Sequence, residues 1–158
     1  MAPGELAEPE HREGAGVAER LVVVPDEAFD EVVRGEVAEA VLEALPEGYR
    51  HVLEFRDPTW YDARALALLE RRGVALCLHD MAGSASERVV IGPFVYVRFH
   101  GPTKYGGRYS DRRLDGWAEW LSARAAGGLA VFAYFNNDIG GHAPRDAARL
   151  RERLLGRT

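Results

Sequence analysis

The chain has one cysteine, one lysine and no long apolar run, and the first and last of these shortages each exclude a class of protein. Cys77, alone among 158 residues, rules out an internal disulfide, and it lies in the apolar run 74–78 without the charged neighbours that activate a thiolate. No apolar run approaches the ~20 residues that cross a bilayer, and the opening residues lack the pattern of a signal peptide. We therefore expect a cytoplasmic protein that contacts no membrane.

Charge is unevenly distributed along the chain. Residues 1–49 hold 13 acidic residues and 3 arginines, whereas residues 50–158 hold 12 acidic and 17 basic residues. Of the 20 basic residues, only Lys104 is not arginine. Since a guanidinium group binds phosphate or carboxylate through two parallel hydrogen bonds, this pattern favours anionic ligands. The alternative is that the arginines reflect genome composition and solvated helix faces.

The order of apolar and polar segments predicts an α/β fold. Residues 1–18 have no sustained period and predict a disordered acidic tail, and residues 19–158 predict one domain. In that domain a short apolar run, a polar turn and a helical segment recur, which indicates a parallel sheet with outer helices. The predicted strands are 20–24, 51–55, 74–78, 94–99 and 129–135. The predicted helices are 31–44, 62–72, 111–126 and 144–155, with Asp62 and Ser110 as N-caps.

Polar residues follow four of the predicted strands at their carboxyl ends. Glu54 and Arg56 share a strand face, as do Arg98 and His100, because side chains alternate along a strand. The third strand ends at His79 and Asp80, and the fifth is followed by 136–138. Since binding groups of parallel α/β proteins gather at this edge, we expect a site there.

Four motifs in order carry a resemblance to a known family. They are Glu54-Phe-Arg56-Asp-Pro-Thr-Trp60, Tyr96-Val-Arg98-Phe-His100-Gly101, Tyr105-Gly-Gly-Arg-Tyr109-Ser110 followed by Trp117-Ala118, and Tyr134-Phe-Asn136-Asn137-Asp138. Together they resemble the YecE-like family, domain of unknown function 72, over residues 50–155. Two departures are Asp57, where the family usually has histidine, and the absence of the family's opening glycine- and tryptophan-rich motifs.

The resemblance implies part of a TIM barrel and a site at its carboxyl edge, but no activity. The family's barrel has about eight strands, and this chain matches its C-terminal half. About 140 structured residues are also fewer than the 200 or more that a full barrel takes. We therefore expect a partial TIM-barrel-like sheet of about five strands, and a truncated family member with little activity is one possible identity.

The residues at the strand ends have candidate roles, each with a structural alternative. Candidate proton-transfer residues are Glu54, Asp80 and His100. Candidate ligand-binding residues are Arg56, Trp60, Arg98, Tyr105, Tyr109, Asn136, Asn137 and Asp138. The alternatives are a Glu54–Arg56 ion pair, loop support by Arg98 and His100, backbone capping by 136–138, and tyrosines packed on the following helix.

These roles predict an enzyme acting by acid–base or phosphate-ester chemistry. A binding module for nucleic acid or a phosphorylated small molecule, using Arg98, Arg108, Arg112 and Arg113, is the alternative. Glu54, His79, Asp80, His100 and Asp138 include metal-ligand types, but no HExxH or CxxC motif is present, so we predict no metal. Walker, GxGxxG and GxSxG motifs are absent, so we predict no cofactor.

An open sheet has unpaired edges, here predicted at 20–24 and 129–135. We expect its concave face to be built from Val52, Leu76 and Val97 and to be only partly covered. Self-association of the chain is the expected consequence.

Overall fold

Residues 19–24 and 31–156 are described by a computed structural model, and the predicted tail, 1–18, lies outside the described residues. The strands are β1 (Glu19–Val24), β2 (Arg50–Phe55), β3 (Ala75–Met81), β4 (Val95–Gly101) and β5 (Val131–Phe135). The helices are α1 (Glu31–Glu43), α2 (Ala63–Arg71), α3 (Asp111–Ala126) and α4 (His142–Leu155), with a 3₁₀ turn at Pro58–Trp60. Every predicted strand and helix is present.

The five strands are parallel and adjacent in chain order, from β1 to β5. They form a curled half-barrel with the helices around it, which confirms the predicted fold class. The predicted N-caps are also confirmed: Asp62 Oδ1 accepts from Ala65 N at 2.8 Å and Ser110 Oγ accepts from Arg113 N at 3.3 Å. Residues 82–94, between β3 and β4, contain no helix.

The sheet buries apolar side chains on both faces. The outer face packs against the helices through residues such as Leu53, Phe55, Leu78 and Phe99. The concave face carries a smaller cluster of Val52, Ala75, Cys77, Phe94 and Tyr96. This double burial explains the nearly continuous apolar strand sequences.

The strand register corrects the predicted composition of the concave face. Val52 lies on that face as expected, but Leu76 and Val97 belong to the outer core under the helices. Val52 pairs with Ala75, and Cys77 pairs with Tyr96, so these residues share a face and the intervening Leu76 lies on the other. The prediction for Leu76 and Val97 was wrong because it aligned the strands without their register.

Candidate functional site

A buried carboxylate with two arginines and a histidine lies on the concave side at the carboxyl ends of β2 and β4. We call Glu54, Arg56, Arg98 and His100 the Glu54 cluster. Glu54 Oε1 lies 2.6 Å from Arg56 Nε and 3.5 Å from His100 Nε2, and Glu54 Oε2 lies 2.6 Å from Arg98 Nη1. Glu54 is inaccessible to solvent, whereas the side chains of Arg56 and Arg98 are 19% and 18% exposed. The arginines are therefore the accessible part of the cluster.

The electrostatics of the cluster favour an ionised Glu54. Burial raises the pKa of Glu54, but hydrogen bonds from His100 and Arg98 and the charges of both arginines outweigh it and lower the pKa to about 2. For Arg56 burial opposes ionisation, yet contacts with Tyr105 and Glu54 raise its pKa. One carboxylate and two guanidinium groups leave a surplus positive charge on the accessible side.

Neighbouring loops hold the arginine side chains in place. Arg98 Nε donates to Asn136 Oδ1 at 3.1 Å, and the Tyr105 hydroxyl accepts a hydrogen bond from Arg56. The Tyr105 ring meets the His100 ring edge-on, with centroids 5.6 Å apart. Tyr105 adopts a φ of 58°, a left-handed conformation that is uncommon for a residue with a side chain. The structure thus brings Asn136 and Tyr105, both predicted site residues, to the Glu54 cluster.

Sequence analysis named His79 only as the end of the third strand and as a metal-ligand type, and it did not name Cys77 or Tyr61 as neighbours of the cluster. Cys77 Sγ lies 3.7 Å from Glu54 Oε2, and burial, followed by the nearby Glu54 charge, raises the pKa of this thiol, which keeps it protonated. Burial lowers the pKa of His79 below its ordinary value, and burial likewise raises the pKa of Tyr61 to about 12. Strand alternation, which places Cys77 and His79 on one face of β3, is the signal that could have found two of them.

A cleft of about 360 Å³ opens beside Arg56, between the β2–α2 and β3–β4 connections. Its walls include Pro58, Tyr61, His79 and Ala85. His79 fixes the β3–β4 connection, since its backbone N–H donates to Ser86 Oγ at 2.9 Å and its carbonyl accepts from Ser86 N at 2.9 Å.

Asp80 and Tyr109, two predicted site residues, lie on the opposite face of the sheet, under α3. Asp80 accepts hydrogen bonds from Trp117 Nε1 at 2.6 Å and from Arg113 Nε at 3.1 Å. The buried Tyr109 hydroxyl donates to the Asp80 carbonyl and accepts from Gly101 N, both at 2.9 Å. We call Asp80, Tyr109, Arg113 and Trp117 the α3 clamp. Asp80 is one residue beyond His79 and so points away from the concave side, which corrects its assignment to the same site as Glu54.

Three further predicted ligand-binding residues lie apart from the cluster. Trp60 is 1% exposed and stacks on Phe55 in the outer core, so it is not at a pocket rim. Asn137 is buried and donates to the Gly107 carbonyl and to Asp146 Oδ2, both at 2.9 Å, which joins two connections. Asp138 is exposed in the turn after β5.

Among residues 19–24 and 31–156, no group of three or more His, Cys, Asp or Glu side chains is arranged to hold a metal ion. Within the same residues, no helix combines the length and apolarity needed to cross a membrane.

Comparison with known proteins identifies relatives. Residues 26–158 match a family described as "Protein of unknown function DUF72". The fold is similar to the crystal structure of a DUF72 family protein from Thermotoga maritima, with a TM-score of 0.75 and 22% identity over 87% of this chain and 57% of that one. A DUF72 family protein from Enterococcus faecalis gives a TM-score of 0.72 and 17% identity over 85% of this chain and 60% of that one.

The chain spans less than two thirds of the length of these solved structures, and at such identities the likeness shows the fold alone. No curated protein matches the sequence. The family match, in contrast, covers most of the chain and includes β2 to α4, which carry the Glu54 cluster and the α3 clamp. The chain therefore belongs to the DUF72 family.

Proposed function

We propose that the concave side of the half-barrel binds a phosphorylated small molecule through Arg56 and Arg98. The observation that carries the proposal is that two guanidinium groups converge on one buried carboxylate while remaining about a fifth exposed. With two guanidinium groups on one carboxylate, the cluster keeps a positive surplus at its accessible end. Phosphate is an anion whose geometry suits two planar guanidinium groups.

Both arginines retain donors for a ligand. A guanidinium group has five N–H donors, and Arg98 uses Nε on Asn136 and Nη1 on Glu54. The Glu54 carboxylate holds both groups in fixed orientations, so less conformational entropy is lost when an anion binds.

A small ligand is favoured over nucleic acid by the other arginines. Arg113 is committed to Asp80 in the α3 clamp, and Arg108 Nη2 lies 3.8 Å from Asp111 Oδ2. Nucleic-acid binding would instead need a basic stripe free to neutralise several phosphates. A salt titration with a short oligonucleotide tests this choice. Tight binding whose logarithmic affinity falls steeply with the logarithm of the salt concentration would favour nucleic acid, because such a slope reports the release of many counterions.

The direct test is calorimetric titration with inorganic phosphate at pH 7.5. Arg56→Gln should weaken phosphate binding about tenfold or more, because it removes a charged donor at the accessible end of the cluster. Arg112→Gln, a change of the same chemistry at an exposed position on α3, should leave the affinity unchanged. No binding by the folded wild-type protein, or equal affinity of Arg56→Gln and wild type, would refute the proposal.

An acid–base reaction on the bound phosphate ester is a second candidate function, and one observation favours it. His100 Nδ1 is buried and has no hydrogen-bond partner among the described residues, while the ring is covered by Tyr105. A ligand that displaced Tyr105 would give His100 a group with which to exchange a proton. The test is hydrolysis of 4-nitrophenyl phosphate by wild type, with Arg98→Ala and His100→Gln as comparisons. If the wild-type protein did not hydrolyse this ester, or if both variants hydrolysed it at the wild-type rate, these residues would not be catalytic.

A further inference from the structure

The cleft beside Arg56 is not used by the phosphate-binding proposal, although it adjoins the Glu54 cluster. Arg56 lies both in the cluster and in the cleft wall, so an anion held by this arginine has the cleft next to it. The volume of about 360 Å³ is within the range of small-molecule sites and exceeds what a phosphate group alone needs. A phosphate bound at Arg56 would leave most of this space empty.

The walls of the cleft differ from the arginine end. Pro58, Tyr61 and Ala85 present apolar surface, the described lining has no second arginine or lysine, and Glu87 is its one carboxylate. The Tyr61 ring is fixed, because it packs edge-on against Phe55 at 5.9 Å and its hydroxyl donates to the Phe55 carbonyl at 3.2 Å. A ring held in this way offers a rigid apolar surface at small entropic cost.

A buried polar group also lies in the cleft wall. His79 is 3% exposed, and its Nδ1 has no hydrogen-bond partner among the described residues. Its Nε2 lies 3.2 Å from Ser84 Oγ, and both residues line the cleft. Because a buried polar atom without a partner costs free energy, an occupant with polar groups at its edge would stabilise this arrangement.

We propose that the cleft binds the organic part of the ligand and that this part is a flat, unsaturated ring, so that the ligand is a phosphorylated ring compound. The apolar walls suit the faces of such a ring, and His79 and Ser84 suit polar atoms on its edge. This inference rests on the proposed function, since Arg56 holds the phosphate end.

Two phosphonates that differ only in their organic group test the cleft. Methylphosphonate and phenylphosphonate both present a phosphate-like anion, and neither is hydrolysed, so calorimetric titration at pH 8 measures binding alone. Phenylphosphonate should bind about tenfold more tightly, since an aromatic contact with Tyr61 adds to the anion contacts. Ala85→Trp places a bulky side chain in the cleft and should reduce the ratio of the two affinities to about one. Ala82→Trp, on the same exposed connection but outside the cleft, should retain the preference.

The outcomes separate the two proposals. Equal affinity for both phosphonates would overturn the ring-binding cleft and leave the anion site standing. A tenfold preference that persists in Ala85→Trp would also overturn it, because the ring would then bind elsewhere. Failure of both phosphonates to bind would refute the phosphate-binding function and the cleft inference with it.

Discussion

Glu54 illustrates how a single buried residue organises its neighbours. With a pKa of about 2 it is a weak proton acceptor near neutral pH, and all its strong contacts are with cations or with His100. Its direct effect is to orient Arg56 and Arg98. The sequence left open a Glu54–Arg56 ion pair. That ion pair is present, and Arg98 joins it as a second cation.

The depressed pKa of Glu54 makes stability depend on pH. Its folded pKa of about 2 lies below the ordinary value of 4.5, so its contribution is fully present above pH 4.5 and is lost as the pH falls to 2. The loss should be about 3 kcal/mol, measured by urea unfolding between pH 2 and 6. Glu54→Gln should flatten this part of the profile, and parallel profiles for the two proteins would contradict the assignment.

Arg98 should matter for stability as well as for ligand binding. Arg98→Leu removes one of two cations from a buried carboxylate, and we expect the free energy of unfolding to fall by about 3 kcal/mol, with loss of phosphate binding. In the double variant Glu54→Leu/Arg98→Leu the buried charge is gone, so part of the stability should return. If Arg98→Leu melted and bound phosphate like wild type, both roles of Arg98 would be wrong.

At the scale of elements, the α3 clamp attaches a helix to the outer face of β3. Asp80→Asn keeps the size of the side chain but removes its charge, so unfolding should require about 2 kcal/mol less. Phosphate affinity should stay within about twofold, because Asp80 lies on the other side of the sheet from Arg56 and Arg98. Asp138→Asn, at an exposed turn, should change stability by no more than about 0.5 kcal/mol. A collapse of phosphate binding in folded Asp80→Asn would return Asp80 to the site.

The turn after β4 depends on Gly101. Its φ of 101° suits only glycine, and a Cβ atom there would overlap the Gly106 carbonyl oxygen. Gly101→Ala should destabilise the protein by about 3 kcal/mol or more, by thermal or urea unfolding. Gly128→Ala is the matched control, because Gly128 also has a positive φ, of 90°, but open space around it, and about 1 kcal/mol is expected. If the two variants lost a similar amount of unfolding free energy, steric crowding at Gly101 would be unimportant.

The sequence was a good guide to elements and a poorer guide to faces. Strand and helix positions follow from local patterns and caps, such as Asp62, and so could be predicted. Alternation puts His79 and Asp80 on opposite faces of β3, but it does not tell which of these faces is the concave one. Trp60 is buried because its ring stacks on Phe55 in the outer core. Both outcomes depend on how the sheet curls and on which of its faces the helices cover, which short sequence patterns do not contain.

At the scale of the whole molecule, the sheet formed by the described residues has two edge strands, β1 and β5. The side chains of β5 are partly exposed, with Tyr134 at 42%, in contrast to the buried β3. Unpaired strands present free N–H and C=O groups that another chain can pair with. A second copy could supply a neighbouring strand at each edge.

We therefore predict that the chain self-associates at ~100 μM, measured by size exclusion with light scattering. Tyr134→Lys places a charge on the β5 edge and should shift the population towards the monomer. Leu155→Lys adds the same charge at an exposed position on α4 and should not. A wild-type monomer with cooperative unfolding would contradict the prediction.

The two polar networks of the carboxyl edge are joined by one peptide bond, since His79 lines the cleft and Asp80 holds α3. A ligand that shifts the backbone of β3 must also move the carboxylate that accepts from the Trp117 indole. The emission of that indole depends on its hydrogen bond and on the charges beside it. A change in Trp117 emission, distinguished from that of Trp60 and Trp120, would therefore report on the helix-covered face an event that takes place on the concave side.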